Sequence, residues 1–351
     1  MTTPSPKRLY NLDYLRGLSA FGIMIYHLVS WGIGPLSQGT FLGRVGVYGV
    51  SMFYVLSGLT LFYVYYQRMQ PTRSDLRDFF LKRLFRIFPL FWLAVFLTLA
   101  VQEKTVKLGL LMANLTGLFS VIRPNAYIPT GGWSIGNELV FYLFFPVFVL
   151  LSKRNKPFFW LLAGALFFVF LYFAFYRLNA SASLYVQWNV YINPLNQVFL
   201  FLAGFLLGYL FNDRQLRPTV PALCLIAGLG LLFFFPGSIN VAAGVDRVVF
   251  TTVCILICLA FYKTTLRLPR LPDKVLTWLG EASYSVYLMH PIVWFGVQDA
   301  LTFMGARLEP WAQISISVLL TLAVSYLVYK YYEVFFMKKS KVLRPGVLRV
   351  V

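Results

Sequence analysis

Long apolar runs separated by short polar segments run the length of the chain. Runs of about 17 to 25 residues, the length an α-helix needs to cross a hydrocarbon layer of about 30 Å, recur at 10–31, 45–66, 86–102, 133–151, 157–176, 194–211, 219–235, 247–262, 279–299 and 311–336. This pattern predicts an all-α polytopic membrane protein, a bundle of ten transmembrane helices. One further run, 108–122, is about 15 residues long and contains Asn114 and Gly117. It is short for a span and reads as a re-entrant or interfacial helix. No internal repeat or low-complexity tract interrupts the pattern. Residues 1–351 therefore read as a single membrane-embedded domain, with no appended soluble domain expected.

Composition agrees. Of the 351 residues, 59% are hydrophobic and only 12% charged, against about 25% charged in an ordinary soluble domain. The 31 Lys and Arg against 12 Asp and Glu give a net charge of +19. A soluble nucleic-acid binder would need a polar surface to carry that charge, so nucleic acid is excluded as a partner. The charge instead sets orientation. If 108–122 does not cross, 23 of the 31 cations fall in the two terminal tails, the loops 67–85, 152–156, 212–218 and 263–278, and their edges. All of these lie on one side, which the positive-inside rule assigns to the cytoplasm, together with both termini. If 108–122 did cross, Lys153, Arg154 and Lys156 would move outside.

The N-terminal stretch has no uninterrupted apolar core and no small-residue cleavage site, so no removable signal peptide is expected. The basic tail after residue 336 is long enough for a membrane-surface contact only. Cys224, Cys254 and Cys258 sit in apolar stretches without metal-ligand spacing and read as packing residues; no metal site is expected.

Ionisable groups at membrane depth are costly and usually functional. The chain has two histidines, both within spans. In the first span, Arg16 and Asp13 fall about 20° and 40° from His27 on the helical wheel, so the three form one stripe. Asp13 and Arg16, three residues apart, could also form an ion pair at the membrane edge. The fourth span opens Trp133-Ser134-Ile135-Gly136-Asn137-Glu138, and counting from its start puts Glu138 at a depth comparable with that of His27. A His27 and Glu138 pair, the acid orienting the imidazole, would suit general acid–base chemistry. Trp133 alone would read as an interfacial aromatic. In the ninth span, Ser283, Tyr287 and His290 share a helix face, which could equally be a hydrogen-bonded packing seam. Pro291 should kink that helix.

Arg83 and Arg86 stand three residues apart at the expected start of the third span. Two guanidinium forks there suit phosphate groups, with lipid headgroup contact as the alternative. Phosphate binding on the cytoplasmic face and a His and Glu constellation near the outer face would be joined by a donor with phosphates at one end and a reactive group on a long arm. Coenzyme A fits that description.

These residues resemble the acyltransferase 3 family of integral membrane acyltransferases. The matches are Leu12-Asp13-Tyr14-Leu15-Arg16-Gly17 with His27 beyond it, and Gly49-Val50-Ser51-Met52-Phe53-Tyr54-Val55-Leu56-Ser57-Gly58. Further along come Arg83-x-x-Arg86-x-x-Pro89, Trp133-Ser134-x-x-x-Glu138 and Ser283-Tyr284-Ser285-x-Tyr287-Leu288-x-His290. Each motif is weak alone; the five in order are specific. The sequence departs from the family pattern at Met52 and Tyr54, where two Phe are frequent.

The resemblance implies a multi-pass protein of the bacterial inner membrane that moves an acyl group, commonly acetyl, from cytoplasmic acyl-CoA to an extracytoplasmic sugar. The acceptor would be a cell-surface polysaccharide or a lipid-linked oligosaccharide, with polysaccharide assembly proteins and membrane lipid as further partners. His27 would be the essential histidine, as general base or acyl carrier, and Glu138 the acid of the Trp-Ser motif. Arg16, Arg83 and Arg86 would bind the donor. Asp13, Trp133, Ser134, Ser283, Tyr284, Tyr287 and His290 would support the site or line the acceptor pocket. Acetyl-CoA would act as a substrate, and no permanently bound cofactor is expected. The alternative class is a transporter or lipid-linked glycan flippase with a His and Glu proton relay.

Overall fold

A backbone removed from water must satisfy its own N–H and C=O groups, so the long apolar runs fold as helices. The computed structural model describes residues 8–70, 72–264 and 268–342, and among these residues it contains helices and no strands. The chain start at 1–7, part of the 263–278 loop and the basic tail from 343 onward lie outside the described residues.

In chain order the helices are α1 (Tyr10–Gly32), α2 (Phe41–Tyr65), α3 (Arg73–Val101), α4 (Leu108–Thr116), α5 (Phe119–Ile122), α6 (Gly132–Arg154) and α7 (Lys156–Tyr172). There follow α8 (Trp188–Tyr191), α9 (Pro194–Phe211), α10 (Thr219–Phe234), α11 (Gly244–Lys263), α12 (Arg270–Glu281), α13 (Ser283–Phe303), α14 (Pro310–Leu327) and α15 (Val334–Val342). π-helical turns extend α7 at Phe173–Arg177 and join α14 to α15 at Val328–Glu333.

Among the described residues, seven helical stretches are long and apolar enough to cross a membrane: Phe41–Tyr65, Arg73–Val101, Gly132–Arg154, Lys156–Arg177, Trp188–Phe211, Gly244–Lys263 and Pro310–Lys339. The three other expected spans correspond to α1, α10 and α13. α10 is apolar but only 16 residues long. α1 and α13 have 23 and 21 residues, but their inward-facing polar side chains lower their hydropathy.

Three boundaries differ from expectation. α3 begins at Arg73, capped by Thr72, whose side chain accepts from Asp75 N. Most of the supposed loop 67–85 is therefore helix, and Arg83 and Arg86 lie well inside it, not at its start. The 108–122 run is broken by Gly117 at φ 75°. α4 and α5 are then 9 and 4 residues long, too short to span. The ninth apolar run is divided at Ala282, and the preceding polar stretch forms the amphipathic α12. α13 itself runs on through Pro291 as one element.

Backbones approach closely where glycines face each other, the usual packing of helices in lipid. A Cβ on Gly58 of α2 would strike the Phe201 carbonyl of α9, and one on Gly204 the Val55 carbonyl. A Cβ on Gly280 of α12 would likewise strike Asp13 O of α1. Paired contacts set direction. His27 with His290 and Gly32 with Trp294 make α1 and α13 parallel. Ile23 with Gly49 and Arg16 with Thr60 run α2 against α1. Tyr54 with Asn137 and Tyr65 with Phe145 align α6 with α2 and so with α9.

Candidate active site

The opposed directions of these helices give the site two ends. At one end α1 presents Asp13 and Arg16. Arg16 Nη1 lies 3.0 Å from Asp13 Oδ1, and Nη2 donates to Thr60 Oγ1 of α2 at 3.0 Å. Asp13 also takes Arg8 Nε at 2.8 Å, and Arg8 Nη1 meets Glu281 Oε1 at 2.6 Å. These groups line a cavity of about 600 Å³ that also takes in Arg83, Arg86, Ser283 and Tyr284, and extends inward to Ser134, Tyr54 and Tyr287.

The two arginines of α3 differ. Arg86 Nη1 is 2.8 Å from Glu333 Oε1, and Glu333 is 2% exposed, with Oε2 accepting from Ser285 Oγ at 2.8 Å. Arg83 lies over the rings of Tyr65 and Tyr142 at 5.7 and 5.9 Å, and its Nη2 is 3.4 Å from Tyr65 OH. Among the described residues no carboxylate lies within 4.0 Å of Arg83, and its buried Nε has no partner. It is a guanidinium with hydrogen-bonding capacity to spare beside a cavity.

Further in, Glu138 Oε1 accepts from Ser57 Oγ at 2.8 Å and from Tyr142 OH at 2.5 Å. The expected His27 and Glu138 pair is not formed among the described residues. The reason is the start of α6. Gly131, at φ 82°, and Gly132 to Trp133 are already buried, so the helix begins below the surface and Glu138 lies deeper than a count from the apolar boundary suggests. Ser134 Oγ reaches Tyr287 OH at 2.9 Å. From that contact Glu138 is one turn toward the arginines, and His290 is one turn the other way.

His27 meets His290 instead. His27 Nδ1 and His290 Nε2 are 2.9 Å apart, and the rings are inclined by only 15°. Trp31 lies parallel to His27, with centroids 5.0 Å apart at 10°. His290 is 1% exposed, whereas His27 is half-buried. The Tyr287 ring, 6.0 Å from that of His290, stands between the histidines and the inner end of the cavity.

The remaining expected residues are placed as follows. Trp133 is 6% exposed and packs on Trp188 and Tyr191, so it is a buried aromatic and not an interfacial one. Tyr284 OH donates to Ile87 O at 2.9 Å and ties α13 to α3. Ser283 is buried in the cavity wall. Sequence reasoning missed Ser57, Thr60, Tyr142, Trp31 and Glu333. Tyr142 and Trp31 each lie four residues beyond a singled-out group, on the same helix face, and Glu333 is an acid within the last apolar run. Those signals could have found them.

In outline, a cation-lined cavity leads from one end of the bundle to hydroxyls and, one helical turn on, a histidine pair. A phosphorylated donor with a long arm and an acceptor hydroxyl could meet there.

A family profile described as an acyltransferase domain matches residues 9–330. A putative acetyltransferase of Acidianus two-tailed virus is 29% identical over 79% of this chain and 80% of its own length. The O-acetyltransferase OatA of Staphylococcus aureus is 26% identical over 96% of this chain, but the match covers only 58% of that protein. A putative O-acetyltransferase of the same species is 24% identical over 80% of this chain and 49% of its own length. The chain thus spans about half the length of its staphylococcal relatives. No solved structure matches.

Proposed function

The chain belongs to the acyltransferase 3 family, and from that membership and the site geometry we propose that it is a transmembrane O-acyltransferase, in the first instance an O-acetyltransferase. It takes the acyl group from acyl-CoA on the cytoplasmic side and delivers it to a hydroxyl of an extracytoplasmic or lipid-linked cell-surface polysaccharide. In this reading ten helices cross the bacterial inner membrane, α1, α10 and α13 completing the seven apolar ones, with both termini cytoplasmic.

The observation that carries the reading is the cavity between the arginines and Tyr287. It is about 600 Å³, within the range of small-molecule sites, and its arginines all stand at one end. The donor phosphates dock on Arg83, which has no carboxylate of its own, with Arg16 and Arg86 beside it. The pantetheine arm runs past Ser57 and Glu138 toward Ser134 and Tyr287. Glu138 holds Tyr142 under Arg83, which makes it a positioning group for the donor. Just past Tyr287, beyond the inner end, His27 takes the proton of the acceptor hydroxyl, and that oxygen attacks the thioester carbonyl. A C–O bond forms, the C–S bond breaks, and the CoA thiolate recovers the proton from His27. The Ser134 and Tyr287 hydroxyls, which donate to Gly131 O at 2.8 and 3.2 Å, would serve the developing oxyanion by turning from that carbonyl.

The test is transfer of label from acetyl-CoA. Vesicles containing the protein and its glycan should yield ester-linked label on the glycan. The His27→Ala variant, inserted to the same level, should lose at least about 100-fold of the rate, the contribution of a positioned base. Undiminished transfer by that variant would remove His27 from the reaction.

A further inference from the structure

Resting on the reading of His27 as the base, we propose that His290 is a positioning residue that fixes the tautomer of His27, so that Nε2 is the nitrogen presented to the acceptor hydroxyl. The argument starts at a backbone carbonyl. Val286 O can only accept, and His290 Nδ1 lies 3.2 Å from it. His290 Nδ1 therefore carries the proton of that contact. In a neutral imidazole the second nitrogen is then an acceptor, so His290 Nε2 presents a lone pair. His27 Nδ1, 2.9 Å away, must supply the hydrogen. His27 in turn is left with its lone pair on Nε2.

The geometry of the pair fits a directed bond. The ring centroids are 5.1 Å apart with planes inclined by 15°, close to the 2.9 Å bond plus the two ring radii. The rings therefore meet edge to edge, nearly coplanar, with the nitrogens aimed at each other. Trp31 lies parallel to both rings, at 10° to His27 and 17° to His290. This flat cover resists rotation of either imidazole out of the common plane. His27 Nε2 has no hydrogen-bond partner among the described residues. The chain from Val286 O through His290 to His27 thus leaves Nε2 of His27 as the nitrogen of the pair with no partner among the described residues. It is the role that a carboxylate fills for histidine bases elsewhere, filled here by a second imidazole anchored on its own helix. An imidazole adds no buried charge, which suits a site at membrane depth.

The chain has two histidines, so selective ¹⁵N labelling of histidine in the detergent-solubilised protein gives only two rings to assign. Both should carry their proton on Nδ1 in the wild type. In His290→Leu, His27 should lose that preference, and kcat for acetyl transfer should fall at least about tenfold with KM for acetyl-CoA unchanged, since a wrongly set tautomer costs rate and not donor binding. His290→Gln, whose amide oxygen can stand where Nε2 stood, should recover part of kcat. A proton on Nε2 of His27 in the active wild type would overturn the proposal, and so would an unchanged tautomer and kcat in His290→Leu. The wild-type spectrum decides the matter even if the Leu variant does not fold. It is also independent of catalysis. Activity surviving in His27→Ala would remove the base and leave the tautomer assignment standing, whereas an Nε2 proton would remove the relay and leave the base.

Discussion

Four arginines border the cavity, but their surroundings divide them. Arg8 and Arg16 share Asp13, and Arg8 also has Glu281; Arg86 is held by the buried Glu333. Among the described residues Arg83 meets only tyrosines. A phosphate approaching Arg86 or Arg16 must compete with a carboxylate already in place, whereas at Arg83 it meets an uncommitted fork. Arg83→Ala should therefore raise KM for acetyl-CoA about 10- to 100-fold, the equivalent of one charged hydrogen-bonding partner. Arg83→Lys should recover only part, because an ammonium cannot make the two-pronged contact. Steady-state kinetics across acetyl-CoA concentrations would check this, and equal effects of Arg83→Ala on KM and kcat would argue against a donor-binding role. At this scale the sequence was informative about which residues matter and less so about whom they meet. His27, His290 and Glu138 stand out because charge and imidazole are scarce at membrane depth, and Arg83 by its three-residue spacing from Arg86. Their partners depend on the relative height and rotation of separate helices, which no single-helix periodicity contains. For that reason the sequence pairs Glu138 with His27, whereas the structure places it with Ser57 and Tyr142.

Helices were legible where they are apolar and illegible where they continue into polar sequence. The membrane half of α3 is visible as an apolar run, but its first turns, from Arg73, carry charges that read as a loop. α12 was hidden in the same way, since its strongly two-sided pattern lies outside any apolar run. What the pattern also cannot supply is contact, and here the glycines are informative. Gly58 and Gly204 let α2 and α9 touch backbone to backbone, while an added Cβ at Gly164 of α7 would meet nothing within 4 Å. Gly58→Leu should force the helices apart and lower the melting temperature in detergent by several degrees, in keeping with an overpacking cost of at least about 1–3 kcal/mol. Gly164→Leu should melt like the wild type. Equal melting of both variants would mean that the α2 and α9 contact does not hold the bundle together. Because Ser57 lies next to Gly58, Gly58→Leu should also weaken acetyl-CoA use before it unfolds the protein.

The charge of the whole molecule acquires a direction once the cations are sorted by end. Lys153 of α6 donates to Met69 O near the end of α2, and so lies at the same end of the bundle as Arg16 and Arg83. At the opposite end, two of the few cations are internal caps. Arg44 donates from Nη1 and Nη2 to the carbonyls of Leu232 and Phe235, each at 2.7 Å, closing the end of α10. Arg247 donates to Ala242 O at 3.1 Å and Asn196 O at 2.8 Å. Neither is available to hold that end at an anionic membrane surface, so the asymmetry felt by the membrane is steeper than the count of loop charges suggests. The proposed orientation follows, with the arginine end in the cytoplasm where acyl-CoA is found and the His27 end outward. It can be tested with single cysteines in a background lacking Cys224, Cys254 and Cys258. Asn155 and Ser183 are exposed at opposite ends. In intact cells a membrane-impermeant maleimide should label Ser183→Cys and leave Asn155→Cys unlabelled until the membrane is opened. Labelling of Asn155→Cys from outside would invert the orientation, put the arginines on the wrong face for a cytoplasmic donor, and so overturn the direction of transfer along with the topology.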